Sequence, residues 1–253
     1  GFGSAVDLGT LNGTTGFRLD GIDADDFSGR AVSSAGDVNG DGFDDLIIGA
    51  FRAHPGGARS AGETYVVFGK SGGFGSAVDL GTLNGTTGFR LDGIDAFDRS
   101  GVAVSSAGDV NGDGFDDLII GAYTASPGGD SVAGEGYVVF GKSGGFGSAV
   151  DLGTLDGTTG FRLDGIDAED FSGGAVSSAG DVNGDGFDDL IIGAHLADSV
   201  AGESYVVFGK SGGFGSAVDL GTLNGTTGFR LDGIDAFDRS GVAVSSAGDV
   251  NGD

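Results

Sequence analysis

The chain contains no cysteine, so disulfides take no part in its stability, and thiol content assigns it to neither an oxidising nor a reducing compartment. With only two histidines beside that absence, it has no ligand set for zinc or copper, which favour imidazole and thiolate. Basic residues are scarce: 12 Lys and Arg stand against 38 Asp and Glu, a formal charge of −26. That balance makes nucleic acid and anionic membrane poor partners. No apolar run approaches the roughly 20 residues that cross a bilayer, so no membrane insertion is expected. No secretory leader is legible. Residue 1 falls inside a repeat unit, which leads to the expectation of a window on a longer array.

Glycine is abundant instead, 57 of 253 residues, and it falls at fixed places. Apolar residues make up 38%, too many for a disordered polar tail. The segment GFGSAVDL starts at Gly1, Gly73, Gly145 and Gly213, at spacings of 72, 72 and 68 residues. A period of that length indicates a repeat architecture. Residues 73–113 and 213–253 are identical, so a deeper unit of 140 residues is also present.

Each unit carries the same acidic loop. Asp37-Val38-Asn39-Gly40-Asp41-Gly42-Phe43-Asp44-Asp45 recurs unchanged at 109–117 and 181–189 and begins again at Asp249. Side-chain oxygens fall at loop positions 1, 3, 5 and 9, with glycine at position 6, where a calcium loop turns sharply. An all-oxygen donor set points to a hard cation, and mixed carboxylate, amide and carbonyl donors suit calcium better than magnesium. The expected ligands are Asp37, Asn39, Asp41, the Phe43 carbonyl and Asp45. They recur as Asp109, Asn111, Asp113, Phe115 and Asp117, then as Asp181, Asn183, Asp185, Phe187 and Asp189. A partial fourth set is Asp249, Asn251 and Asp253. Without a cation, three carboxylates at positions 1, 5 and 9 would crowd one another. Asp44 lies between ligand positions and is expected to point outward.

The hydrophobic pattern around the loops is that of strands. Phe17–Asp20 alternates, Ala31–Ala35 is a short run of small residues, Leu46–Ala50 is a continuous apolar run and Thr64–Phe68 is β-branched and aromatic. The first eleven residues read as a linker covering an edge, Asn12-Gly13 as a tight turn, and 51–62 as a variable loop. Four strands per repeat predict an all-β propeller of four-stranded antiparallel blades, each about 70 residues long. AVSSAG would be innermost, then LIIGA, then TYVVFG, with GFRLDG outermost. Phe43, Phe68 and their equivalents are expected between blades.

The stretch GFRLDGIDADDFSGRAVSSAGDVNGDGFDDLIIGA, with the Asp loop running into Asp45–Ala50, resembles the FG-GAP repeats of integrin α-chain propellers and of bacterial surface proteins. The name-giving Phe-Gly is Ser28-Gly29 here, and Phe51, Tyr123 and His195 replace the proline of Gly-Ala-Pro. The resemblance implies a seven-bladed ring as the usual closed form and an outermost strand that closes the preceding blade. Residues 1–30 would then be a linker and the outer strand of a preceding blade. Blades with their following linkers would occupy 31–102, 103–174 and 175–242, and 243–253 would start a truncated fourth, about three and a half blades in all.

Other features read as structural. Asn12-Gly13-Thr14, Asn84-Gly85-Thr86 and Asn224-Gly225-Thr226 match a glycosylation acceptor, but Asp156 in the third unit favours a turn. The cluster Asp20, Asp23, Asp25 and Asp26 lacks ligand alternation and reads as a solvated turn, not a second cation site or a carboxylate pair for catalysis. Arg18, Arg90, Arg162 and Arg230 recur at one strand position and are expected to pair with nearby aspartates. No nucleophile elbow, a serine on a sharp turn from a strand into a helix, is read in the chain.

Together these features predict a calcium-binding, non-catalytic structural and adhesive repeat domain, extracellular or at a cell surface, in which calcium rigidifies each blade. Its expected partners are calcium, other copies of the array, and a cell-surface or matrix protein or glycan, with assembly into a filament as a variant. The alternatives are a carbohydrate- or protein-recognition module using loops on one propeller face and, less favoured, a hydrolase.

Overall fold

A computed structural model describes residues 4–248. A first short strand, β1 (Arg18–Asp20), is followed by a meander of β2 (Ala31–Gly36), β3 (Asp45–Ala50) and β4 (Glu63–Val67). Then come β5 (Ala77–Asp79) and β6 (Gly88–Asp92). The next unit repeats the series as β7 (Ala103–Gly108), β8 (Asp117–Ala122), β9 (Glu135–Val139), β10 (Ala149–Asp151) and β11 (Gly160–Asp164). The third has β12 (Ser172–Gly180), β13 (Asp189–Ala194), β14 (Glu203–Val207), β15 (Ala217–Asp219) and β16 (Gly228–Asp232).

Three antiparallel sheets result, ordered β2-β3-β4-β6, β7-β8-β9-β11 and β12-β13-β14-β16. The predicted strand order holds in each. In the first, Ile47 pairs with Ser33 on one side and Val66 on the other, and Tyr65 pairs with Arg90. Apolar side chains from both faces of the central strands are buried, as their unbroken hydrophobic runs require. One core holds Ile47 and Val66 of the first blade with Leu118, Ile120 and Tyr137 of the second. A second core joins Ile119 and Val138 to Leu190, Ile192 and Tyr205 in the same way. The sheets therefore stack face to face as blades of an open propeller arc. Backbones approach closely at each junction: a Cβ on Gly49 would run into the Gly101 carbonyl of the second unit. A Cβ on Gly121 would run into the Gly173 carbonyl of the following unit.

The linker does more than cover an edge. β10, from the second unit, pairs parallel with β6, the outer strand of the first, in the register Val150 to Leu91. β15 does the same to β11, and β5 to β1. The first and second blades thus each receive a fifth strand from the unit that follows, while the third sheet has four strands among the described residues. Three residues of Ala-Val-Asp are too short to display alternation, which is why pattern alone reads them as linker. Aromatics lock this exchange: Phe146 stacks on Phe89 at 4.0 Å and Phe214 on Phe161 at 4.0 Å. Lys142 Nζ lies 4.8 Å from the Phe146 ring centre on the linker.

Asn12 makes its predicted turn, its Oδ1 accepting the Thr14 and Thr15 N–H groups. Each recurrent strand arginine meets the aspartate two residues on: Arg18 with Asp20, Arg90 with Asp92, Arg162 with Asp164 and Arg230 with Asp232. No helix among the described residues is long and apolar enough to cross a membrane.

Candidate functional site

The Asp loops are the β2–β3, β7–β8 and β12–β13 connections, all on one face of the arc. Their path is set by their own side chains. Asp37 Oδ1 accepts N–H groups from Gly40 at 2.8 Å and Asp41 at 3.0 Å, while Oδ2 accepts from Gly42 at 2.8 Å. Asn39 Oδ1 takes the Asp41 N–H at 2.8 Å, and Asp41 Oδ1 takes that of Phe43 at 3.0 Å. These short side-chain-to-backbone bonds are what Asp and Asn offer a tight loop. Gly42 adopts φ +88°, a left-handed conformation that L side chains avoid, as expected of the sixth position. The second and third loops repeat the pattern through Asp109, Asn111 and Asp113, and through Asp181, Asn183 and Asp185.

The ninth position is different in kind. Asp45, Asp117 and Asp189 are fully buried. Asp45 accepts the Val38 N–H at 3.2 Å and the Gly69 N–H at 2.8 Å, tying the loop to the end of β4. Burial is the largest influence on these carboxyls, and their loop partners Asp41, Asp37 and equivalents add to it. Asp45 is pushed up to about 7 and Asp117 to about 8, and Asp189 is raised in the same sense.

Among the described residues no group of three or more His, Cys, Asp or Glu side chains is gathered into a ready-made metal cage. The predicted donors instead face their own backbone N–H groups, and two of the five, the Asn39 amide and the Phe43 carbonyl, are neutral oxygens. By chemistry the set fits a hard cation: carboxylate oxygens retain lone pairs beyond those used by the N–H groups, and no nitrogen or sulfur ligand intervenes. Asp249, Asn251 and Asp253 lie outside the described residues.

Asp44 is exposed, in line with the expectation for it, but its equivalents in the second and third loops are engaged. Asp116 Oδ2 accepts the Asp37 N–H at 2.8 Å, and Asp188 Oδ2 accepts the Asp109 N–H at 2.9 Å. Each reaches across a blade junction to the preceding loop, because stacked blades bring successive loops side by side. Phe115 and Phe187 go with them, and Cβ atoms on Gly40 and Gly112 would run into their rings. Phe43, expected between blades, is instead exposed. The available signal was the Phe-Asp-Asp triplet closing every loop.

The second acidic cluster is only half solvated. Asp23 and Asp25 are exposed, but Asp26, Asp98 and Asp170 are buried. Asp98 accepts the Asp95 N–H at 3.1 Å, and burial pushes it up to about 6, as it does Asp170. Buried Glu63 joins this region, accepting the Tyr65 hydroxyl, with Arg90 Nη1 at 3.8 Å. Sequence reading missed Glu63 and its equivalents Glu135 and Glu203, since a glutamate at the start of a β-branched run looks like a strand edge.

The fold and loops define a class, a repeat protein of β-propeller blades with an acidic loop in each. Comparison makes the family specific. FG-GAP repeats match at residues 28–67, 100–139 and 172–207. The chain is an FG-GAP repeat protein. It is 31% identical over 196 residues to integrin alpha-5 of Xenopus laevis, covering 75% of this chain and 17% of that one. It is 31% identical over 178 residues to integrin alpha-V of Gallus gallus, covering 68% and 15%. Phosphatidylinositol-glycan-specific phospholipase D of Bos taurus is 34% identical over 171 residues, covering 67% and 19%. The chain thus spans less than a fifth of the length of these relatives.

Proposed function

We propose that this chain is a calcium-stabilised, non-catalytic structural and adhesive module that works outside the cell or at its surface. The observation that carries the reading is the threefold recurrence of an all-oxygen loop ending in a fully buried aspartate. Asp37, Asn39, Asp41, the Phe43 carbonyl and Asp45 would hold the ion in the first loop, with the equivalent sets in the second and third. The ion would supply positive charge where burial and mutual repulsion disfavour the carboxylates. Asp45 holds Gly69 as well as Val38, so fixing it fixes two inter-strand connections.

Extracellular calcium modules bind at roughly 10⁻⁴ to 10⁻³ M. At a hundredfold excess over the dissociation constant, each filled site adds about 2.7 kcal/mol to the folded state. The test is thermal unfolding in calcium and in EGTA. A large drop in midpoint is expected in EGTA, and an unchanged midpoint removes calcium from the reading. The integrin relatives support adhesion, and the phospholipase D relative shows by its name that the repeat also occurs in an enzyme. Here the best catalytic candidate, the pair Asp26 and Glu63 near His54, is compromised because Glu63 is engaged by Tyr65 and Arg90.

A recognition reading also has an observation behind it. On the face opposite the Asp loops, Arg52 lies 4.6 Å from the Phe27 ring centre, and Arg30, Arg59 and Arg99 lie 5.6 Å from Phe51, Phe97 and Tyr123. Among the described residues none of the four pairs with a carboxylate. Arginine and aromatics are the residues that dominate interface energetics. Binding of a surface glycan or matrix protein that is lost in Arg30→Ala/Arg52→Ala is the expected result. Silence across glycan and matrix-protein arrays in saturating calcium counts against it.

Filament assembly is a variant of this reading, motivated by the near-identical repeat units. Sedimentation in high calcium showing monomers alone would remove this variant.

A further inference from the structure

We infer that neighbouring loops are coupled, so that calcium fills them cooperatively, with Asp116 and Asp188 as the coupling residues. The inference rests on the calcium reading above but goes beyond it: independent sites on separate blades would satisfy that reading equally well.

The geometry is the same at both junctions. Asp116 belongs to the second loop, between the ligand carbonyl of Phe115 and the buried ligand Asp117, yet its carboxylate holds the N–H of Asp37, the first ligand of the first loop. The contact is doubled by the Asp116 N–H, which lies 3.4 Å from the Asp37 carbonyl. Beside it the Lys142 N–H donates to the Val38 carbonyl at 3.0 Å, and the Phe115 ring covers Gly40. At the next junction Asp188 holds the Asp109 N–H, the Asp188 N–H meets the Asp109 carbonyl at 3.2 Å, and the Lys210 N–H meets the Val110 carbonyl at 2.9 Å.

Two consequences follow for an ion. Asp116 brings a further carboxylate up to a loop whose expected ligands already include those of Asp37, Asp41 and Asp45, which favours an ion in the first loop. Its position is set by Phe115 and Asp117, which an ion in the second loop would hold. Filling either loop therefore lowers the cost of ordering the other, and linkage makes the effect reciprocal. Repulsion between two bound ions opposes this, but the Asp116 carboxylate lies between the loops.

Asp44 is a built-in reference. It occupies the same place in its own loop, but its side chain is exposed and holds no other Asp loop among the described residues, unlike Asp116 and Asp188. Asp44→Ala and Asp116→Ala each remove one charge from their own loop, and only the second removes a contact to a neighbour.

The experiment is calorimetric titration of the whole chain with calcium at fixed ionic strength, for wild type, Asp44→Ala, Asp116→Ala and Asp116→Asn. Wild type and Asp44→Ala are expected to bind with a Hill coefficient above 1. Asp116→Ala is expected to flatten the isotherm toward 1 and raise the calcium midpoint by about fivefold or more, the lower range of allosteric coupling. Asp116→Asn keeps an oxygen for the Asp37 N–H, guards against simple misfolding, and should fall between. Binding by independent sites in wild type, or equal isotherms for Asp116→Ala and Asp44→Ala, overturns the coupling and leaves the calcium reading intact. No calcium heat in any variant overturns both.

Discussion

Phe89→Ala and Phe229→Ala change the same residue in the same local sequence, GFRLDGID, yet the structure assigns them different costs. Phe89 is fully buried, stacked on Phe146 of the next unit at 4.0 Å and 8°, and 5.8 Å from Phe68. Truncating a fully buried phenylalanine costs about 3–5 kcal/mol, and losing a stacked ring adds about 1 kcal/mol. Phe229 is half-buried and has one aromatic neighbour among the described residues, Phe208 at 5.9 Å. Its truncation should cost about 2 kcal/mol, from the smaller area removed from water. Phe161, stacked on Phe214 at 4.0 Å and 10°, should behave as Phe89 does. Urea unfolding followed by circular dichroism, in calcium and again in EGTA, gives the comparison. Because blades contact only their neighbours, the transition reports on the blades that are perturbed. Equal losses for Phe89→Ala and Phe229→Ala would refute the argument that the following unit's linker supplies the missing burial.

Asp98→Asn should stabilise the metal-free protein at pH 7 by about 2–3 kcal/mol, since its carboxyl is held at about 6 by burial against an ordinary 3.8. The folded state keeps a proton that the unfolded chain releases, so this contribution is full below about pH 4 and is lost as pH rises to about 6. The variant should flatten the stability profile across that window, and an unchanged slope would show that Asp98 is not the group responsible. Gly121→Ala should cost about 3 kcal/mol by forcing the Gly173 carbonyl away and separating two blades. Gly128→Ala, in open space at φ +63°, should cost only about 1 kcal/mol of backbone strain. Thermal midpoints for the two distinguish collision at a junction from strain in a loop.

Strand order was legible in the chain because each element carries a local physical preference. Small residues in AVSSAG suit a crowded inner position, the run LIIGA suits a strand buried on both faces, and TYVVF suits a β-branched partner. The position of the loop glycine at Gly42 followed from the sixth-position turn. The arginine–aspartate pairs were legible as well, since two residues apart in a strand means the same face. All these features depend on neighbours within a few residues.

Position relative to another blade was not legible. Nothing in Ala77-Val78-Asp79 announces a strand that leaves its own blade, and nothing local distinguishes Asp116, which grips the preceding loop, from exposed Asp44. Asp26 read as solvated because it closes an acidic turn, and the burial of Asp26 and Asp98 came from packing around them. The sequence by itself determined the repeat, the strands and the oxygen-rich chemistry of each loop. Only the tertiary structure decided which copies of identical residues are buried, which are exposed and which touch another loop. Stacking sets those differences through contacts between residues some 70 positions apart, such as Asp37 with Asp116 at a separation of 79, where local preference carries no information.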